Sequence, residues 1–274
     1  MKIALFPNLE REGTARLLPK IVNILKNAGA ECYITTGSPV DLPQYSEEEL
    51  YVMCDVMITV GGDGTLIKHA KSASLYSKPC LGINTGRLGF LASVESEDLM
   101  ILNDLVKENF VVEPRMMLSV EMIKDGKRIY SGTALNDSVV SSGSVARITD
   151  IKLSVSGDEI NYRSDGVIVS TPTGSTAYSM SAGGPIIAPS VRCLTVTPIC
   201  SHSLTARPMI LSDNEEVCIE LAESSRTEAF LTVDGERCGE VDFNTVIRVK
   251  KSEHDALLIN LGKKTIYKTI SLKF

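Results

Sequence analysis

Residues 61–65 read Gly-Gly-Asp-Gly-Thr, three glycines around one carboxylate. Backbone without side chains lets a polyphosphate come close, and free amides at the start of a helix would receive it. A carboxylate in such a loop is repelled by phosphate unless it binds a metal ion or takes a proton from an attacking hydroxyl. Asp63 is therefore the candidate catalytic residue, with Gly61, Gly62, Gly64 and Thr65 forming the loop around the phosphates. The alternative without chemistry is a tight Asp-Gly turn followed by a capping Thr. Neither Gly-x-x-x-x-Gly-Lys-Ser/Thr nor Gly-x-Gly-x-x-Gly occurs, so the loop is neither a P-loop nor a standard dinucleotide fingerprint. Lys68, one helical turn further on, would neutralise phosphate charge or stand as a solvated helix lysine.

A second constellation lies at residues 173–178, Thr-Gly-Ser-Thr-Ala-Tyr. A glycine turn, several small hydroxyl donors and one aromatic suit a loop that enters a helix beside a ribose or purine. The plainer alternative is a Ser/Thr-rich helix cap with a packed tyrosine. Asn136-Asp137 ends a β-type segment and offers an amide and a carboxylate able to grip two adjacent sugar hydroxyls, although such a pair on its own is more often a turn. By residue type alone Arg147, Arg163 and Asp165 are ordinary surface charges. Asp234-Gly235-Glu236 reads first as a hairpin turn.

These residues need elements to hold them. Residues 2–6 read as a buried strand. A helical pattern over Leu17, Leu18, Ile21, Val22, Leu25 and Ala28 ends at a capping Gly29, and Pro19 predicts a kink or a late start. Residues 31–35 and 56–60 are further strands. Ser46 with Glu49 has the form of a capping box, and helix is expected from 65 to about 74, then strand at 80–83 and helix at 98–107. Strands alternating with helices imply a parallel α/β sheet. Past Val111 the pattern changes to short β segments at 118–123, 129–133 (after a turn at Asp125-Gly126), 148–154, 167–170, 217–221, 229–233 and 246–249. The expected organisation is an α/β domain over 1–110 and a β-rich domain over 111–256.

With 274 residues, 43% of them hydrophobic, the chain has enough apolar surface for two cores. A net charge of −6 supplies no global field for nucleic acid or an acidic membrane, so a bound polyanion must be held locally. Seven scattered cysteines without Cys-x-x-Cys or zinc-ligand spacing read as reduced thiols in a cytoplasmic protein, and no dedicated metal site is expected. The apolar run 3–6 stops at Pro7, too short for a signal peptide or membrane span.

The loop Gly61-Gly62-Asp63-Gly64-Thr65 is shared by NAD kinases, 6-phosphofructokinases and the diacylglycerol and sphingosine kinases. Further residues separate them: Asn84-Thr85-Gly86-Arg87-Leu88-Gly89-Phe90-Leu91, Asn136-Asp137, Arg163-Ser164-Asp165-Gly166, the run from Thr171 to Pro185, and Pro198-Ile199-Cys200-Ser201-His202-Ser203-Leu204. In this order, over most of the chain, they resemble the NAD kinase family. The resemblance implies an N-terminal parallel α/β domain like that of phosphofructokinases and diacylglycerol kinases, a β-sandwich-like C-terminal domain, and a final segment, 257–274, that completes the first. It also implies transfer of the γ-phosphoryl group of ATP to the 2′-hydroxyl of the adenosine ribose of NAD, with a divalent ion, most simply Mg²⁺. The implied NAD-binding residues are Asp63, Gly64, Lys68, Asn136, Asp137, Arg147, Arg163, Asp165, Thr173, Thr176, Ala177, Tyr178, Ser179, Met180, Ser181 and Glu236, and the implied assembly is a homo-oligomer, commonly a tetramer. His202 falls in a family loop but reads as structural. A lipid kinase would need membrane attachment, and no basic amphipathic helix or lipidation motif is present. A non-catalytic dinucleotide sensor would have no use for Asp63.

Overall fold

A computed structural model describes residues 1–86, 89–143, 149–203, 205–222, 228–262 and 265–273. It divides into two compact units, Met1–Pro114 with Ala256–Phe274, and Arg115–Asp255.

In the first unit, strands β1 (Lys2–Pro7), β2 (Glu31–Thr35), β3 (Gln44–Tyr45), β4 (Val56–Gly61), β5 (Cys80–Asn84), β6 (Val94–Glu95), β7 (Val111–Arg115) and the late strand β20 (Ala256–Asn260) form one sheet. Its order is β3-β2-β1-β4-β5-β20-β7, with β6 also on β5. The pairs from β3 through β20 are parallel. Both faces of β1, β4 and β5 are buried, which is why these strands read as unbroken apolar runs. One face carries Ile3, Leu5, Ile58, Val60, Leu81 and Ile83 against Leu18, Ile21 and Leu25 of α1 (Glu12–Asn27) and Leu102 and Leu105 of α4 (Leu102–Val106). On the other face the Phe6 ring stacks at 5.2 Å on Tyr51 of α2 (Glu47–Met53) and lies 4.3 Å from His69 of α3 (Asp63–Ser74).

Local chemistry explains most of these boundaries. The Ser46 hydroxyl accepts the Glu49 amide at 3.3 Å while the Glu49 carboxylate accepts the Ser46 amide at 2.9 Å, the capping box expected at α2. Gly29 takes a φ of +95° just past α1. Pro19 does not delay or end α1, which runs through it from Glu12. Five buried residues on one stripe, Thr14, Leu18, Ile21, Val22 and Leu25, anchor the helix on both sides of the missing hydrogen bond. The helix expected over 98–107 is shorter: a 3-10 turn at Leu99–Ile101 followed by α4.

In the second unit, among the described residues, twelve strands make two six-stranded antiparallel sheets. One is ordered β15 (Met209–Ser212), β14 (Cys193–Ile199), β13 (Gly166–Ser170), β10 (Asp137–Ser142), β17 (Ala229–Val233), β18 (Glu236–Val241). The other is β12 (Asp158–Ser164), β11 (Thr149–Val155), β16 (Glu216–Leu221), β19 (Thr245–Lys251), β8 (Leu118–Lys124), β9 (Lys127–Ala134). Val140, Val167, Val169, Leu194 and Leu231 from the first pack with Val120, Ile151, Leu153, Ile219 and Ile247 from the second in one core, a sandwich. The turns Asp125-Gly126 and Asp234-Gly235 both have positive φ at both residues, the geometry that Asp-Gly favours between paired strands. Between β13 and β14 lie a 3-10 turn at Gly174–Thr176 and the single-turn helix α5 (Tyr178–Ser181). The chain ends in α6 (Ile266–Lys273), within the first unit.

Candidate active site

The sheet of the first unit changes direction at β1: the chain builds outward to β2 and β3 on one side, then returns to place β4 and β5 on the other. Ligands of open parallel sheets sit beyond the C-terminal strand ends at such a switch point. Here those ends are Pro7 of β1 and Gly61 of β4, followed by residues 8–11 and by Gly62-Asp63.

Gly62 is the N-cap of α3 and Asp63 its first residue, so helix begins two residues earlier than expected and the carboxylate stands at the helix mouth. Oδ2 of Asp63 accepts the Phe90 amide at 2.7 Å; Oδ1 accepts those of Leu91 at 3.3 Å and Ala92 at 3.1 Å. A carboxylate offers about four lone-pair positions. These donors leave one acceptor open, the second on Oδ2. A side chain on Gly89 would overlap the same carboxylate, so only glycine lets the segment pass this closely. Asn84, buried at the end of β5, shapes the start of that loop by accepting the Gly86 amide at 3.2 Å and donating to Glu95 at 2.8 Å.

Thr65 Oγ1 accepts Asn8 Nδ2 at 3.4 Å and lies 2.6 Å from where a Gly61 Cβ would be, tying the two loops together. Across Gly62 lies a residue the sequence did not single out: the Arg11 guanidinium, whose Nη2 is 2.8 Å from a would-be Gly62 Cβ. Lys68, by contrast, points its Nζ to Glu47 at 3.2 Å in an exposed pair. Further along α3 His69 is buried, its Nδ1 2.7 Å from the Tyr51 hydroxyl, and burial pushes its pKa down to about 4.

In the second unit Asp137 does not end a strand but opens β10, and Asn136 lies in the connection before it. Asp234 plays toward them the part Asp63 plays toward residues 90–92: its carboxylate accepts the amides of Leu135 at 2.9 Å, Asn136 at 2.7 Å and Asp137 at 3.2 Å. Read only as a turn in the sequence, Asp234 is thus the support of this segment. Thr171 donates through Oγ1 to the Leu135 carbonyl at 2.6 Å and through its amide to that of Asn136 at 2.9 Å. Gly174 abuts the Asn136 carbonyl so closely that a Cβ would overlap it. Asp137 is buried, and desolvation, with a smaller contribution from Asp234, raises its carboxyl to about 7.

Thr173 is buried beside this knot, and Thr176 Oγ1 donates to its carbonyl at 3.3 Å. Ser179 shares a 2.9 Å hydrogen bond with Thr197, so its hydroxyl is held within the protein. Ala177 and Met180 are half-buried, while Tyr178 and Ser181 are exposed. Arg163 pairs with Asp150 at 3.8 Å on the neighbouring strand. Asp165 bonds through its backbone to Ser142 and Ile199, and Glu236 is exposed at the start of β18. Arg147, with Arg87, Leu88 and Leu204 of the motifs above, lies outside the described residues.

Residues 8–110 match the ATP-NAD kinase N-terminal domain model and residues 135–261 the ATP-NAD kinase C-terminal domain model. The chain belongs to the NAD kinase family. An NAD kinase of Acetivibrio thermocellus is 37% identical over 273 residues, 97% of this chain and 94% of that protein. One from Symbiobacterium thermophilum is 41% identical over 221 residues, 80% of this chain and 78% of the other. Among solved structures, an NAD kinase from Archaeoglobus fulgidus in complex with ATP superposes with a TM-score of 0.78 at 28% identity, covering 100% of this chain and 98% of its own. Yeast NADH kinase complexed with NADH, at 24% identity and a TM-score of 0.87 over 100% of this chain and 88% of the other, shares the fold. Within the NAD kinase family, Gly-Gly-Asp-Gly-Thr here is the loop of residues 61–65 at the mouth of α3.

Proposed function

We propose that this NAD kinase transfers the γ-phosphoryl group of ATP to the 2′-hydroxyl of the adenosine ribose of NAD, with Asp63 as the residue that receives the hydroxyl. The supporting observation is the single open acceptor on Asp63 Oδ2, presented at a helix N-terminus at the switch point of the sheet. A hydroxyl donating there is oriented by a carboxylate whose other positions are locked by three amides. As the bond from the γ-phosphorus to the ADP oxygen breaks, the bond to the ribose oxygen forms, the hydroxyl proton passes to Asp63, and ADP leaves. In a loose phosphoryl-transfer transition state that proton departs late, so positioning outweighs base strength.

Gly61, Gly62, Gly64 and Thr65 provide the close-approach backbone for phosphates. Asn136, Asp137, Thr173, Thr176, Ala177, Tyr178, Ser179, Met180, Ser181, Arg147, Arg163, Asp165, Glu236 and Lys68 are proposed dinucleotide contacts on the family resemblance. A divalent ion, most simply Mg²⁺, enters as part of the donor, Mg·ATP, since such an ion keeps several waters and needs few protein ligands; among the described residues no three His, Cys, Asp or Glu side chains group as ligands. Among the described residues no helix is long and apolar enough to cross a membrane. Seven unpaired cysteines support a cytoplasmic setting. A homo-oligomer, tetrameric by resemblance, is tested by light scattering.

The experiment is NADP formation by purified protein from NAD, ATP and Mg²⁺, read through an NADP-specific dehydrogenase. Steady NADP production is expected. A folded protein that binds both nucleotides and makes none contradicts the proposal and favours a dinucleotide-binding regulator.

A further inference from the structure

Arg11 occupies the N-cap of α1, where Ser, Thr, Asp and Asn are preferred, yet its side chain makes no capping bond. A cation at a helix N-terminus also opposes the helix dipole. Its guanidinium lies instead over Gly62, the N-cap of α3, so it faces a second positive helix end. Nη2 and Nη1 are 2.8 and 2.9 Å from a would-be Gly62 Cβ, and Nη1 is 3.2 Å from that of Gly86. The residue is exposed, and among the described residues no carboxylate pairs with it. Lys68, another cation near the loop, is paired with Glu47. Among the described residues nothing pairs with this guanidinium, which lies beside the N-termini of α1 and α3 at the switch point of a parallel sheet, where an anion would meet favourable charge from all three.

We infer that Arg11 contacts the donor nucleotide's terminal phosphates, its forked N–H groups taking γ-phosphoryl oxygens while that group moves from ADP to the hydroxyl on Asp63. This rests on the proposed phosphoryl transfer and names the residue that neutralises the charge. The P–O bond to ADP breaks, the P–O bond to the acceptor oxygen forms, and Arg11 stays protonated throughout. The small side of Gly62 has a matching role, because any side chain there would displace the guanidinium. Since Arg11 supplies no cap, truncating it leaves α1 intact.

The test compares wild type, Arg11→Ala and Arg11→Lys in kcat, in KM for ATP and NAD, in calorimetric binding of ATP and AMP, and in thermal unfolding. For Arg11→Ala, kcat/KM for ATP falls by about 100-fold. KM for NAD and affinity for AMP, which lacks the terminal phosphates, stay within about twofold, the unfolding temperature is unchanged, and Arg11→Lys recovers part of the loss. A kcat/KM for ATP within about threefold of wild type overturns the inference, as does equal loss of AMP and ATP binding. If wild type makes no NADP while ATP binding still depends on Arg11, the phosphate contact stands and the proposed reaction falls.

Discussion

Asp63 accepts three consecutive amides, so it holds the segment 90–92 as well as carrying the proposed proton acceptor. Asp63→Asn replaces an acceptor by an NH₂ group facing an amide donor, and about 1–3 kcal/mol of stability should be lost with the activity, measurable by urea unfolding. The sequence pointed to the carboxylate as out of place among phosphates. It could not show the amides, because what binds Asp63 is backbone, which carries no residue signature beyond Gly89. Arg11 was invisible for a similar reason: one arginine near a helix start looks like any surface charge until the chain brings it over Gly62. His69 gives a pH test. Its folded pKa, about 4, lies below the ordinary 6.5, so the unfolded chain binds the proton first as pH falls. Stability present above about pH 6.5 is therefore lost through the window down to 4, by about 3 kcal/mol relative to His69→Gln. Equal urea midpoint shifts in the two proteins between pH 7.5 and 5 would contradict this.

Among elements, the parallel strands were legible because both of their faces are buried and they read as continuous apolar runs. Edge strands such as β12 and β15, exposed along one side, lacked that signal and were not anticipated. Nor was the course of α1 through Pro19, where one buried stripe outweighs one lost hydrogen bond. The connection from β13 into α5 depends on Gly174 lying against the Asn136 carbonyl. Gly174→Ala should cost about 1–3 kcal/mol and weaken NAD binding, since the overlap is with backbone that cannot swing aside. Gly64→Ala is the matched control: a Cβ there meets nothing within 4 Å, and its unfolding midpoint should stay at the wild-type value. If both variants unfold alike, the close approach at Gly174 is not a constraint.

On the scale of the whole molecule, the change of apolar period near residue 110 separates an α/β unit from a β-rich one, whereas the sandwich and the return of the last segment, here as β20 beside β5, were implied only by the family resemblance. What sequence alone could not give is where the cations near the loop point: Lys68 reaches Glu47 in an exposed pair, and Arg11 lies over Gly62. With Mg²⁺ entering only with ATP, as proposed, chelation by EDTA should abolish turnover while leaving the unfolding temperature of the nucleotide-free protein unchanged. A fall in that temperature would reveal a resident ion.

The most direct test of phosphoryl transfer centred on Asp63 is single-turnover NADP formation by wild type and Asp63→Asn at saturating NAD and Mg·ATP, with NAD affinity measured on both. A rate lowered by about 10²–10⁴-fold with NAD affinity nearly kept is expected. A variant that turns over at the wild-type rate would show that the hydroxyl proton does not go to Asp63.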